Sequence, residues 1–362
     1  MSRDIATLRD EIARLDRTLL EILGRRFELA EEVGRIKAGG GHPVVVREVE
    51  QRVLTRARDA AVLCGVSPEV MENIFSAIIR GAVERQHRVG VELGARGGAR
   101  MLVIGAGGAM GGWLCRFLES IGHTVLGVDA AWSDLPHAEG RHARLEEVPD
   151  LDGVDMIFVS VPLDATGGVL HELAKVDCPV VEIASIKSHL REPLLALKHP
   201  LSLHPMFGPG KNPLEPITVV HAVLDDEEKE RALILQRLAH PYLNLVSLPF
   251  EHHDRLMGWL LGLAHLHGIL FAGALSRSGL DPEELERTAS TTFSRQVETA
   301  RTVLEEDPDL YFAIQRLNPF RGEVYAALTA AVGEVTGAVE RNDREAFNRL
   351  LSGAGAKLPR IG

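Results

Sequence analysis

Residues 100–129 read RMLVIGAGGAMGGWLCRFLESIGHTVLGVD, and this stretch decides the fold of the middle of the chain. Met101–Ile104 is a short unbroken apolar run, the pattern of a strand buried on both faces. It passes directly into glycines at 105, 107, 108, 111 and 112. An amphipathic helix and a second strand follow, and that strand closes on Asp129. Strand, glycine turn, helix, strand and terminal acid make a βαβ dinucleotide-binding unit of the Rossmann type, in which glycines let a pyrophosphate approach a helix N-terminus. An acid at Asp129 can hydrogen-bond an adenosine ribose and repels a 2'-phosphate, so NAD is expected rather than NADP. The glycine pattern is irregular: in one register Met110 takes the third glycine position, in the other Ala106 takes the first. Gly105, Ala106, Gly107, Gly108, Met110, Gly111 and Asp129 are therefore all candidates for cofactor contact.

Working outward toward the C-terminus, three further strands are expected. They are Asp155–Val161 before Pro162, Pro179–Ala184 before Ser185-Ile-Lys187, and Leu201–Leu203 before His204-Pro205. Ligands of open α/β sheets sit at such carboxyl ends, which points to Ser185, Lys187 and His204 as neighbours of the nicotinamide. Alternation ends after Pro249 and helices take over. One covers Glu251–Arg277, and Asp281-Pro282 and Asp307-Pro308 each cap the start of another. Leu256–Leu275 is long and apolar enough to cross a bilayer, but His265 and His267 interrupt it. Such groups are costly in lipid, so a helix at a subunit interface is expected instead.

Toward the N-terminus, Ile5, Leu8, Ile12, Leu15, Leu19, Ile22, Leu29, Val33 and Ile36 recur at steps of three and four, with one seven-residue step. This predicts one long helix whose seam needs a second chain, hence a homodimer. Arg26 occupies the seam position that the repeat leaves between Ile22 and Leu29. A guanidinium there calls for an anion, and a carboxylate ligand matches it bidentately. Arg9 and Lys37 flank the same seam. A second helix carries Val46, Val49, Val53 and Ala57, with Glu50 on the edge of the stripe. A third begins at Ser67-Pro68 and turns Met71, Phe75, Ile78, Ala82 and then Gln86 inward. Periodicity lapses from Gly90 to Gly98, as in a hinge. The expected organisation is an all-helical domain over 1–92, a linker over 93–99, an α/β nucleotide domain over 100–249 and an all-α domain over 250–362.

The bulk numbers agree with several domains: 362 residues exceed one ordinary core, and 45% are hydrophobic. A formal net charge of -11 excludes a dominant basic surface for nucleic acid or anionic membrane. Three scattered cysteines and a charged, helical start fit a reducing, cytoplasmic setting. No His, Cys or acid spacing suggests a metal site.

Two sets of motifs give this organisation a chemical reading. The run LRDEIARLDRTLLEILGRRFELAEEVGRIK (8–37) resembles the first helix of the all-helical chorismate mutases, a likeness that extends over about residues 5–90. ASIKS (184–188) and LSLHPMFGP (201–209) resemble the signatures of prephenate dehydrogenases, and residues 100 to about 350 fit that family. Together the chain resembles the bifunctional chorismate mutase/prephenate dehydrogenases. The resemblance implies that Arg26, with Arg9 of the partner subunit, binds the two carboxylates of chorismate. It implies that Lys37 and Gln86 bond the ether oxygen and Glu50 the ring hydroxyl. It makes His204 the base of the dehydrogenase and Arg295, in Thr291–Arg295, the anchor for a substrate carboxylate. It also puts His265, and less directly His253, at motif positions near the pocket. Val49 replaces the arginine usual before the glutamate, and Ala82 a frequent serine, so a dehydrogenase of prephenate or arogenate with a non-catalytic helical domain stands as the alternative. Glu182 stands where many relatives have aspartate.

Overall fold

The computed structural model describes residues 4–40, 47–94, 98–133, 139–213, 215–240 and 243–359. It divides into two units. One holds Met1–Val161, Gly168–Ile183 and Leu194–Ser247; the other holds Pro162–Gly167, Ala184–Pro193 and Leu248–Gly362.

The first unit begins with three helices, α1 (Ile5–Gly40), α2 (Arg47–Leu63) and α3 (Pro68–Gly94). Both α1 and α2 pack on α3. What they bury is small: Ala30, Ala57, Ala61 and Ala82. Gly81 permits the close approach of α1, since a Cβ there would lie 3.1 Å from the Phe27 ring. Arg85 closes the same contact, bonding Glu31 at 3.0 Å and lying 5.0 Å over the Phe27 ring. All nine apolar residues of the α1 seam stay exposed, by 40–72%. Val49 was expected in the buried stripe of α2 and is exposed instead. It sits in the first turn, whereas α2 meets α3 further on, through Ala57, Ala61 and the Arg58–Glu72 ion pair at 3.5 Å. Helix α3 runs on to Gly94, through most of the stretch expected to be a hinge. Its glycines at 81, 90 and 94 lower helix propensity without breaking the hydrogen-bonded ladder.

The same unit carries a sheet of order β3-β2-β1-β4-β5-β6-β7-β8. Its elements are β1 (Arg100–Ile104), α4 (Ala109–Ser120), β2 (Thr124–Val128), β3 (Arg141–His142), β4 (Met156–Val159), α5 (Leu163–Glu172), β5 (Val180–Glu182), α6 (Arg191–Leu195), β6 (Pro200–Pro205), β7 (Ile217–Val223), α7 (Glu227–Leu238) and β8 (Leu243–Pro249). Strands β1 to β6 pair in parallel and β7 returns antiparallel on β6. The chain steps from β1 outward to β2, then back across β1 to β4, so the switch point lies at the glycine turn. Trp113, Phe117 and Leu118 of α4 pack on Met101, Val103 and Phe158, joined by Leu203, Ile217, Ile234 and Leu238. Side chains of this size contribute about 1.5–3 kcal/mol each on full burial. Two findings correct the expected strands. His204 and Pro205 lie inside β6 rather than in a loop after it, and β7 and β8 extend the sheet. In β7 a fully buried His221 is matched by Glu230 of α7 at 2.9 Å and by Ser247 of β8 at 3.2 Å.

The second unit is helical: α8 (Phe250–Met257), α9 (Ala264–Leu275), α10 (Pro282–Thr288), α11 (Thr291–Leu304), α12 (Pro308–Leu317), α13 (Arg321–Glu340) and α14 (Arg344–Lys357). Asp281, Ser290, Asp307 and Asp343 each cap the helix that follows by accepting a backbone N–H. A π-helical turn, Gly258–Leu263, joins α8 to α9, and Gln315 donates to the Gly262 carbonyl at 2.9 Å within it. Phe250–Leu275 is thus one helical run, long and apolar enough by composition to cross a membrane. Trp259, Leu260, Ile269 and Leu270 on it are exposed in the single chain. Pro162–Gly167 and Ala184–Pro193, which include the first residues of α5 and α6, belong to this unit: Arg316 bonds Asp164 at 2.5 Å and Arg191 bonds Glu251 at 3.2 Å.

Candidate active sites

On α1, Arg26 is half-buried, and burial lowers its pKa from the ordinary arginine value. Arg9 on the same helix is exposed. The two lie seventeen residues apart, about 26 Å along a helix, too far for one small dianion to bridge within one chain. The side chains of Lys37, Glu50 and Gln86 lie outside the described residues.

At the switch point the backbone forms a cradle. Gly105 takes a left-handed φ of 85°, and its N–H and that of Ala106 donate to the Val128 carbonyl at 2.7 and 3.2 Å. A Cβ on Gly105 would strike the Ser160 carbonyl at 2.2 Å, and one on Gly111 the Gly105 carbonyl at 1.9 Å. The close backbone approaches thus fall at Gly105 and Gly111, which combines the two registers that the sequence allows. Gly108 caps α4 without a side-chain bond, leaving the helix N-terminus open to an anion. Asp129 accepts the Gly107 N–H at 2.8 Å and the Ala131 N–H at 2.9 Å. Two of the candidates turn away from this cradle: Ala106 is buried in the core, and Met110 packs against it. These features fit a dinucleotide: the amides of the first turn of α4, which have no partner within the helix, for the pyrophosphate and an acid for the ribose.

Further along the sheet, β6 holds His204 opposite Val220 of β7, and the histidine is buried. Beside it Ser202 donates its hydroxyl to Glu182, both fully buried in adjacent strands. Glu182 thus ties β5 to β6 and has no access to solvent.

In the helical unit, Ser185 is partly exposed while Ile186 and Lys187 beside it are fully buried. The turn they form rests on a residue that sequence reasoning missed. Asp254 accepts the N–H of Lys187 at 2.9 Å, that of Ser188 at 2.7 Å, and a bond from the His253 ring at 2.8 Å. Burial would raise its pKa, but the bonds from His253, Ser188 and Lys187 outweigh that and hold it at about 2. The histidine and acid side by side in EHHDRLM were the available signal. His265 stands edge-on to Tyr311, with 4.2 Å between ring centroids, and burial pulls its pKa down to about 4. Its Nδ1 is buried with no hydrogen bond among the described residues. Arg295, on α11, is exposed.

Comparison with known proteins gives the chemistry its family. Residues 8–87 match the chorismate mutase type II family, 114–219 the nucleotide-binding domain of prephenate dehydrogenase, and 249–353 its dimerization domain. The chain belongs to the bifunctional chorismate mutase/prephenate dehydrogenases. The T-protein of Enterobacter agglomerans is 26% identical over 96% of this chain and 91% of its own length. That of Haemophilus influenzae is 25% identical over 94% and 88%. In fold, the chain resembles a prephenate dehydrogenase from A. aeolicus solved with hydroxyphenyl propionate and NAD+, at a TM-score of 0.60 and 18% identity, over 73% of this chain and 98% of that one. This bifunctional enzyme is thus an isomerase and an oxidoreductase of tyrosine biosynthesis, with a nucleotide-binding domain.

Proposed function

We propose the following residue roles for the two reactions. In the mutase, Arg26 and Arg9 of the partner subunit hold the two carboxylates of chorismate. Lys37 and Gln86 stabilise the ether oxygen as its bond to carbon breaks, and Glu50 orients the ring hydroxyl. The rearrangement needs no nucleophile or proton transfer, so positioning and charge stabilisation suffice. The exposed α1 seam supports a homodimer, because seventeen residues of helix separate the two arginines and only a second chain brings such a pair together.

In the dehydrogenase, the amides at the start of α4 hold the pyrophosphate and Asp129 the adenosine ribose. NAD+ supplies the hydride acceptor for the hydroxyl-bearing ring carbon of prephenate. His204 accepts the proton of that hydroxyl as the carbonyl forms. The ring carboxylate leaves as carbon dioxide, its electron pair aromatising the ring and passing to the carbonyl oxygen, which takes the proton back from His204 to give 4-hydroxyphenylpyruvate. Ser185 and Lys187 flank the nicotinamide, Arg295 binds a substrate carboxylate, and His265 lines the pocket. The helical unit adds a second dimer contact through its exposed apolar residues. The cysteines are free among the described residues, which supports a reducing cytoplasm.

The observation that carries this reading is His204, buried at the carboxyl end of a strand in the sheet whose switch point holds the glycine cradle. Supplying chorismate and NAD+ and following NADH tests both steps, with prephenate and arogenate as separate substrates. NADH from prephenate but not from chorismate would leave the helical domain non-catalytic. His204→Asn is expected to keep NAD binding and lose most hydride transfer; full turnover would remove His204 from the mechanism.

A further inference from the structure

The ASIKS turn is fastened by groups that the reaction as written does not use. Asp254 and His253 are both fully buried, and the carboxylate is spent on the backbone of Lys187 and Ser188, more than sixty residues earlier in the chain. Asn318 extends the network: its amide donates to the Asp254 carbonyl at 2.8 Å, and its oxygen accepts the Phe320 N–H at 2.8 Å. A turn in this place could be closed by local bonds alone. Burying a carboxylate and an imidazole costs desolvation that such a turn would avoid, and buried polar networks of this kind fix a single geometry.

What that geometry controls follows from burial. From Val180 to Lys187 every residue is buried except Ser185. With Ile186 and Lys187 sunk in the interior and their backbone fixed by Asp254, the Ser185 side chain is the one group that this stretch offers outward. We propose that Asp254 is a positioning residue of the dehydrogenase, holding the turn so that the Ser185 hydroxyl keeps its place in the reaction. The proposal rests on the assignment of Ser185 to the dehydrogenase site made above. Asparagine at 254 presents an amide donor to backbone N–H groups that also donate, so one fastening is lost and the hydroxyl drifts. Displacements of about 1 Å cost up to about a hundredfold in rate.

A double-mutant cycle tests this. Prephenate oxidation is measured for the wild type and for Asp254→Asn, Ser185→Ala and the pair, with NADH affinity followed by fluorescence and mutase turnover from the same chain as a control. Asp254→Asn is expected to lower kcat about 10- to 100-fold, with NADH affinity and mutase turnover within about twofold of wild type. The double variant should be no slower than the slower single, because both act through one hydroxyl. Multiplying losses, or a wild-type kcat in Asp254→Asn, would overturn the proposal while leaving a slow Ser185→Ala to uphold the role of the serine. Full turnover in Ser185→Ala would sink the serine and the positioning role together. Should Asp254→Asn fail to fold, His253→Gln, which keeps the carboxylate and replaces its imidazole partner with an amide, enters the same cycle with the same criterion.

Discussion

Asp129 and Gly107 are joined by a 2.8 Å hydrogen bond from the glycine N–H to Oδ2, while Oδ1 accepts the Ala131 N–H. A carboxylate has about four acceptor sites, so two remain for the ribose hydroxyls that the proposed function assigns to it, where its charge would repel a 2'-phosphate. Asp129→Asn should therefore weaken NAD binding and narrow the preference over NADP, each by about tenfold, corresponding to about 1.4 kcal/mol. Titrating both cofactors against the variant by fluorescence checks this. An unchanged preference would mean that Asp129 serves the turn alone.

Gly111 and Gly112 look alike in the sequence and differ in the structure. A Cβ at 111 would lie 1.9 Å from the Gly105 carbonyl, a backbone atom that cannot yield, whereas at 112 the nearest neighbour is the Arg116 guanidinium at 3.6 Å. Gly111→Ala is expected to lower the melting temperature and abolish NAD binding, and Gly112→Ala to leave both near wild type. Thermal melts with and without NAD distinguish them, and a stable, NAD-binding Gly111→Ala variant would refute the cradle geometry.

These two glycines also mark how far the sequence could be read. The βαβ unit was legible because its signals are local: a run of apolar residues, a glycine turn and an acid on one short stretch. Which glycine makes the close approach was not, since that depends on where the Gly105 carbonyl points. Strand β7 was missed for a similar reason. His221 interrupts its apolar run, and only Glu230 and Ser247, brought in from α7 and β8, make that histidine compatible with a core. Asp254 escaped notice because its partners at 187 and 188 are remote in sequence. The α1 seam was plain from its heptads, and it lies bare because one chain supplies too little to cover it.

That bare seam makes a prediction about the mutase. Leu15→Glu with Leu19→Glu puts charge on two of its exposed positions and should dissociate the helical domains and abolish chorismate turnover. Arg26→Ala should instead leave association intact and lower mutase kcat/KM by about 100- to 1,000-fold, a loss of about 2.7–4 kcal/mol of transition-state binding. Both variants should still oxidise prephenate. Chorismate absorbance and sedimentation read the two effects separately, and a fully active Arg26→Ala would exclude it from the substrate site.

Acid should destabilise the protein in two stages. His240 and His265 have pKa values drawn down to about 4 by burial, against about 6.5 for histidine in an unfolded chain. As pH falls from about 6.5 toward 4 the unfolded chain takes up protons that the folded one refuses, so stability is lost across that window. Asp254, held at about 2, acts in the next one: its contribution is complete above the unfolded aspartate value of about 3.9 and is lost as pH falls through 2. Urea midpoints measured from pH 7 to 2 should decline in both ranges. Replacing His240 and His265 by phenylalanine should flatten the upper range and leave the lower one, while Asp254→Asn should do the reverse. An upper slope that survives the loss of both histidines would assign acid sensitivity to other groups.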